Sequence, residues 1–232
     1  MKIFHNSTQP LARHFRNSIA TIGIFDGIHR GHGIIFKKVI TRARRLGKKS
    51  IVITFDPHPA KILTPRNVPA SILSLQHRLN LLEKSGFDLC WMIHFTKRVA
   101  DQGAWQFVRD LLVDRLGISE VWVGQGFRFG RGNLGTVELL KFLGSHYGFS
   151  VREIAPISHA GQKISSTQIR KLIVNGDLKR AEKLLGRPVS ILGTVIPGTK
   201  LGEKIGFPTA NLDLHNEVIP TRGVYAVRVS LN

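Results

Sequence analysis

A chain of 232 residues carrying 34 Lys and Arg against 15 Asp and Glu, a formal net charge of +19, has room for one large domain or one domain and a small second one. Its 42% hydrophobic and 21% charged residues exclude global disorder, which needs low hydrophobicity as well as high charge. No apolar run approaches the roughly 18 residues of a membrane span, no hydrophobic segment follows Lys2 as a secretory signal requires, and the single cysteine, Cys90, excludes an internal disulfide, so a cytoplasmic protein is expected.

Residues 19–25 (IATIGIF) read as a short buried strand followed by the turn DGIHRG. Residues 33–46 read as a helix, with Ile35, Val39 and Leu46 near one face beside Phe36, Ile40 and Ala43, and basic residues opposite. A strand over 51–55 ends at the Pro57 and Pro59 pair. A helix is predicted over 75–84, stopping at Gly86, and a strand over 89–95. The clearest amphipathic helix covers 104–116; a strand at 121–124, a helix at 136–148 and a strand at 149–156 follow. Strands alternating with helices of this length imply βαβ units and a parallel sheet. Cys90, Trp91, Trp105 and Trp122 lie in apolar runs and are expected in the core, and seven further histidines, His77 among them, have no evident partner.

The character changes after Gly186. The runs at 190–198, 205–214 and 223–231 are β-like, are punctuated by Gly and Pro, and lack a helical period. The boundary is therefore drawn at 186: residues 1–186 as one α/β domain, and 187–232 as the start of an all-β domain with too few strands to close a barrel.

Residues 30–49 hold eight basic residues and no acidic one. A nucleic-acid surface is disfavoured against a solvated helix face, because no aromatic residues are interleaved and no nucleic-acid-binding signature appears.

The loop Gly23-Ile24-Phe25-Asp26-Gly27-Ile28-His29-Arg30-Gly31-His32 carries the chemistry. It joins a strand to a helix, where open α/β sheets bind ligands. A helix N-terminus presents free N–H groups to phosphate, and two histidines can donate N–H as well, more strongly when protonated. Downstream, Ser165, Ser166 and Thr167 precede Arg170 at the start of a second helical stretch. One hydroxyl would suffice as an N-cap; three with an arginine one turn on suit a triphosphate.

GIFDGIHRGH followed by ISSTQIR resembles the nucleotidyltransferase superfamily. With TFDPHP, VGQGFRFG and GFPTANL…IPTRGVYAV the chain resembles, over nearly its whole length, the bacterial bifunctional FAD synthetases, which combine riboflavin kinase and FMN adenylyltransferase. The resemblance implies a Rossmann-like domain that transfers AMP from ATP to FMN with Mg²⁺, followed by part of a riboflavin-kinase β-barrel. It makes His29, His32 and Arg170 catalytic. It gives ATP contacts to Gly23, Phe25, Gly27, Ser165, Ser166 and Thr167, and flavin contacts to Phe129, His58 and the Gly126 position. Thr209 and Asn211 would be ATP and Mg²⁺ positions of the kinase-like part. In the first domain no metal is expected to be held by protein alone. ATP, FMN and riboflavin are the implied partners, with no membrane, and the oligomeric state is left open.

Three departures qualify the resemblance. Gly126 stands where the family has Asp or Asn, and Glu203 follows Gly202 where the family has Gly-Arg. The family's catalytic kinase Glu lies beyond residue 232, so kinase activity is expected to be lost if the chain is the whole protein. The alternatives are a relative acting on another acceptor, a basic nucleic-acid-binding protein and an inactive remnant of the fold. The motifs TFDPHP, FRFG and PTAN favour flavin over other acceptors.

Overall fold

The computed structural model describes residues 1–5, 13–159, 161–199 and 201–231. Six strands form one sheet: β1 (Lys2–His5), β2 (Ile19–Ile22), β3 (Ser50–Asp56), β4 (Leu89–His94), β5 (Glu120–Gly124) and β6 (Ser150–Ile154). Their order is β1-β4-β3-β2-β5-β6, and each adjacent pair is parallel. The chain moves outward from β2 to β4, then crosses back to place β5 on the other side of β2. The strand order therefore reverses at β2 and β5, and a crevice opens beyond their C-terminal ends.

The helices are α1 (Arg30–Arg45), α2 (Pro59–Leu63), α3 (Leu75–Lys84), α4 (Lys97–Ala100), α5 (Ala104–Phe107), α6 (Val137–Tyr147), α7 (Ser166–Val174) and α8 (Leu178–Leu185). Alternation along the strands divides the core between the two faces of the sheet. Ile51, Ile53, Leu89 and Trp91 pack with Leu112 and Leu140 on one face, while Val52, Cys90 and Met92 pack with Phe36, Val39 and Leu82 on the other. A third cluster joins Ile72, Leu73, Ile169, Ile173, Leu184 and Val218.

Several boundaries differ from the sequence reading. The expected strand 19–25 ends at Ile22, because the chain turns out of the sheet toward Phe25, which has a left-handed φ of +52°. Helix α1 starts at Arg30 rather than 33, because the His29 side chain caps it; Leu46 is its exposed C-cap rather than a core residue. The predicted helix 104–116 is α-helical only to Phe107, and Val108–Arg115 winds as a wider π-helix, with Leu116 N–H donating to the Leu111 carbonyl five residues back. Trp105 is 48% exposed instead of buried and packs edge-on against Phe142.

The segment after 186 holds an antiparallel pair, β7 (Thr194–Ile196) with β8 (Asn211–Asp213), and a short helix, α9 (Leu201–Lys204), where no helix was expected. The β-like run 223–231 pairs with no described strand, and Val224, Val227, Val229 and Leu231 are exposed. Alternation favours a strand, but a strand forms only against a partner.

Part of the basic run is already committed. Arg42 donates to Glu120, Lys49 pairs with Asp88, and Lys48 donates to Asn17 and Ser119. No described helix is long and apolar enough to cross a membrane.

Candidate active site

The loop from Gly23 to His32 lies at the C-terminal end of β2, at the reversal point of the sheet. Its backbone is bent hard. Phe25, Gly27 and Ile28 have φ of +52°, +85° and +37°. For the β-branched Ile28 that conformation is unfavourable, at a cost of order 1–3 kcal/mol. Such a turn persists only where its surroundings hold it.

Three side chains do so. The buried Asp26 carboxylate accepts from Ile72 N–H (3.0 Å) and Leu73 N–H (3.3 Å), and from Arg170 Nη2 (2.9 Å). Arg78 of α3 donates to the Ile24 carbonyl (3.1 Å) and the Phe55 carbonyl (2.8 Å). Arg187, just past α8, donates to the Gly27 carbonyl (2.7 Å) and the Ile28 carbonyl (2.9 Å). The Ser166 hydroxyl also donates to the Asp26 carbonyl (2.7 Å), stitching α7 to the loop. None of the three anchors was foreseen. An arginine that meets a backbone carbonyl leaves no pattern in the sequence; the Asp of FDG was the one available signal.

The histidines stack, with ring centroids 3.6 Å apart. His29 Nδ1 accepts the His32 backbone N–H, so the neutral ring carries its proton on Nε2 and offers that N–H as a donor. A side chain at Gly31 would place its Cβ 3.1 Å from the His29 ring, which explains glycine between them. Burial lowers the His29 pKa to about 4 and pushes His32 well below the ordinary range, with the nearby Arg187 acting in the same direction. Both rings are therefore held toward the neutral form, in which each offers one N–H donor. His32 Nδ1 is buried and has no hydrogen-bond partner among the described residues.

Two cavities flank this loop. The larger, of about 640 Å³, is lined by Phe55, Phe95, Phe127 and Phe129, with His58, Thr167 and Arg170 at its polar side. The smaller, of about 360 Å³, is lined by His29, Gly124–Phe127, Ile154–Ile157 and Ser165. Gly23, Ile24, Phe25, His32, Phe127 and Ser166 line both.

The predicted site residues thus divide. Thr167, Arg170, His58 and Phe129 face the larger cavity, while His29, Ser165 and Gly126 face the smaller. Gly27 contributes its carbonyl to Arg187. Ser165 caps α7 by accepting the Gln168 N–H, the ordinary role of a hydroxyl at a helix start. His58 caps α2 in the same manner, and burial lowers its pKa. Gly126 has φ +76° with open space around its Cβ position, a conformation that glycine adopts freely and Asn or Asp tolerate. Thr209 and Asn211 are exposed and line neither cavity. No group of three or more His, Cys, Asp or Glu among the described residues could hold a metal ion.

The sequence profile described as FAD synthetase matches residues 11–168, and that described as riboflavin kinase matches 185–232. Bifunctional riboflavin kinase/FMN adenylyltransferases are similar over most of the chain. The Escherichia coli K12 protein is 38% identical over 211 residues, covering 91% of this chain and 67% of the relative. The Haemophilus influenzae protein is 37% identical over 227 residues, covering 98% and 72%. A Buchnera aphidicola protein (from Schizaphis graminum) is 37% identical over 219 residues, covering 92% and 69%. A crystal structure of a Streptococcus pneumoniae protein, described as a macrolide-efflux protein, superposes with a TM-score of 0.78 at 30% identity, covering 92% of this chain and 69% of that one.

Proposed function

The chain belongs to the FAD synthetase family, and on that premise we propose that the Gly23–His32 loop and the start of α7 form its nucleotidyl-transfer site. The reaction is FMN adenylyltransfer: AMP passes from ATP to FMN, giving FAD and pyrophosphate. The observation that carries the assignment of residues is the meeting of two cavities at Gly23, Ile24, Phe25, His32, Phe127 and Ser166. A reaction that joins two phosphate-bearing halves needs two chambers with one shared wall. The larger, aromatic chamber suits a flavin ring, with Phe129, Phe127 and His58 against it. The smaller suits the ATP nucleoside; Gly126, expected on the flavin side, borders this chamber and not the aromatic one.

The chemistry asks for positioning more than for proton transfer. The FMN phosphate, whose second pKa is about 6, is largely dianionic at pH 7. One of its oxygens attacks the ATP α-phosphorus, the bond from that phosphorus to the bridging oxygen breaks, and pyrophosphate leaves with the electron pair. No general base is needed. His29 Nε2–H and His32 donate to the phosphate oxygens as charge shifts toward the leaving group, and the free N–H groups at the start of α1 add to this. The backbone N–H of Ser166 at the start of α7, the Thr167 hydroxyl and the N–H groups of Arg170 not used by Asp26 and Ala70 hold the polyphosphate from the α7 side, the Ser166 hydroxyl being spent on the Asp26 carbonyl.

Magnesium would be carried by the substrate. Asp26, the carboxylate lining the larger cavity, is engaged by two backbone N–H groups and Arg170, so it is not free to bind the ion. Held by phosphate oxygens and water, Mg²⁺ would neutralise part of the polyphosphate charge. Residues 187–232 form the riboflavin-kinase-like part, with Thr209 and Asn211 proposed as its ATP and Mg²⁺ positions.

The test is a two-arm assay with Mg²⁺ and ATP, one arm with FMN and one with riboflavin, resolving FMN and FAD by chromatography. FAD forms in the FMN arm, and the riboflavin arm reads the kinase-like part separately. Loss of a charge-stabilising donor costs about 2.7–4 kcal/mol, so His29→Ala and His32→Ala should each lower kcat by about 10²- to 10³-fold. Wild-type turnover in either variant, or no FAD at saturating FMN, would refute the assignment.

A further inference from the structure

We propose that Arg187 is a positioning residue for nucleotidyl transfer: its guanidinium, bridging the Gly27 and Ile28 carbonyl oxygens, holds the His29 loop in the bent form that aims its donors at phosphate. This rests on the transfer-site reading above. Arg187 follows the matched span of the FAD synthetase profile, which ends at residue 168, and lies within the span matched by riboflavin kinase. It lines neither cavity, so it acts on the reaction only through the loop.

The geometry explains how. Helix α8 ends at Gly186, whose left-handed backbone (φ +78°) turns the chain so that Arg187 reaches back to the loop. There Nη2 meets the Gly27 carbonyl at 2.7 Å and Nη1 the Ile28 carbonyl at 2.9 Å. These are consecutive peptides at the point of strain, where Ile28 holds φ +37°. In a trans peptide the N–H points opposite to the C=O. Pinning both carbonyls therefore fixes the direction of the Ile28 and His29 N–H groups, and with them the start of α1. The planar fork sets one N–H on each oxygen at a fixed spacing; an ammonium is a single compact donor on a flexible stem and does not impose that geometry. The same guanidinium sits near both imidazoles, His29 and His32, which also face each other.

A second contact ties the same downstream segment to the site. Glu217 accepts from His77 Nδ1 (3.0 Å), and Ser190 lies 3.2 Å from His77 Nε2. The next residue on α3 is Arg78, which holds the Ile24 carbonyl of the loop. Residues beyond 186 thus fasten to the loop directly, through Arg187, and indirectly, through α3.

The test compares Arg187→Lys and Arg187→Met with wild type in steady-state FAD synthesis, alongside NMR titration of the His29 and His32 rings in each protein. If Arg187 acts by bridging, Arg187→Lys loses tenfold or more in kcat while KM for FMN stays within about threefold, and Arg187→Met behaves alike. In Arg187→Lys, which keeps the positive charge, the two rings then titrate closer to the ordinary histidine range because the loop opens to water; in Arg187→Met loss of the charge adds to the same shift. Retention of wild-type kcat by Arg187→Lys with loss only in Arg187→Met would show that charge alone matters and would overturn the proposal. So would unchanged ring titration in Arg187→Lys, even if that variant loses activity because it melts at a lower temperature. If wild type makes no FAD, the transfer reading fails by itself, and the ring titration still decides whether Arg187 holds the loop.

Discussion

Replacing His29 with Gln tests the claim that this ring is buried and neutral. Burial lowers its pKa to about 4, against 6.5 in an unfolded chain. Stability is full above pH 6.5, where both states are neutral, and is lost as pH falls toward 4, because the unfolded chain takes up a proton that the folded chain refuses. At one pKa unit per 1.36 kcal/mol, the loss between pH 8 and pH 5 is about 2 kcal/mol, approaching about 3 kcal/mol near pH 4. Gln does not ionise, so His29→Gln should escape this part of the acid sensitivity. At pH 8 the variant should be less stable by about 1 kcal/mol, since the α1 cap is altered. Urea unfolding of both proteins at pH 8 and pH 5 gives the double difference directly. An equal loss in both proteins, to within about 0.5 kcal/mol, would refute the buried neutral ring and, with it, the picture of uncharged donors at the phosphates.

Glu217→Ala should lower stability by about 2–4 kcal/mol in urea unfolding, because Ser74 N–H, Leu192 N–H and His77 Nδ1 lose their acceptor in a buried setting; a change below about 0.5 kcal/mol would refute that role. Burial alone would raise the Glu217 pKa, but hydrogen bonds from His77 and Ser74 leave it net lowered, so this contribution is present at neutral pH and fades on acidification. Cys90, buried in β4 with its thiol pushed up to about 12, should resist iodoacetamide at pH 8 until the chain is unfolded; native labelling at the unfolded rate would contradict its burial.

Much of the layered core was readable from pattern alone, where local signals agreed. Helix 75–84 has the predicted bounds, because Ser74 caps its start and Gly86 follows its end. The inner strands read clearly because they are apolar on both faces, as a covered parallel sheet requires. Strand β1 was not read: KIFH has no period of its own, and its order comes from pairing with β4, 87 residues away. The π-helical turn at Val108–Arg115 escaped because its apolar residues also satisfy an α-helical spacing. At the site, the loop and the ISSTQIR hydroxyls were visible as residue types, but the division between two chambers was not. Nor was the neutrality of the histidines, since desolvation depends on what packs above a residue and not on its neighbours in sequence. His77 gave no hint of its tie to Glu217, 140 residues on.

The shared wall between the two chambers also bears on how the reaction ends. On the proposed assignment each substrate occupies one chamber and is held by one set of contacts. FAD joins the two halves covalently, so it spans the wall and is gripped from both sides at once. Tethering raises the effective concentration of each half for its own chamber, and a doubly held molecule leaves only when both halves disengage together. On the proposed assignment, escape of the finished dinucleotide, rather than formation of its phosphoanhydride bond, is the step expected to set the pace of turnover.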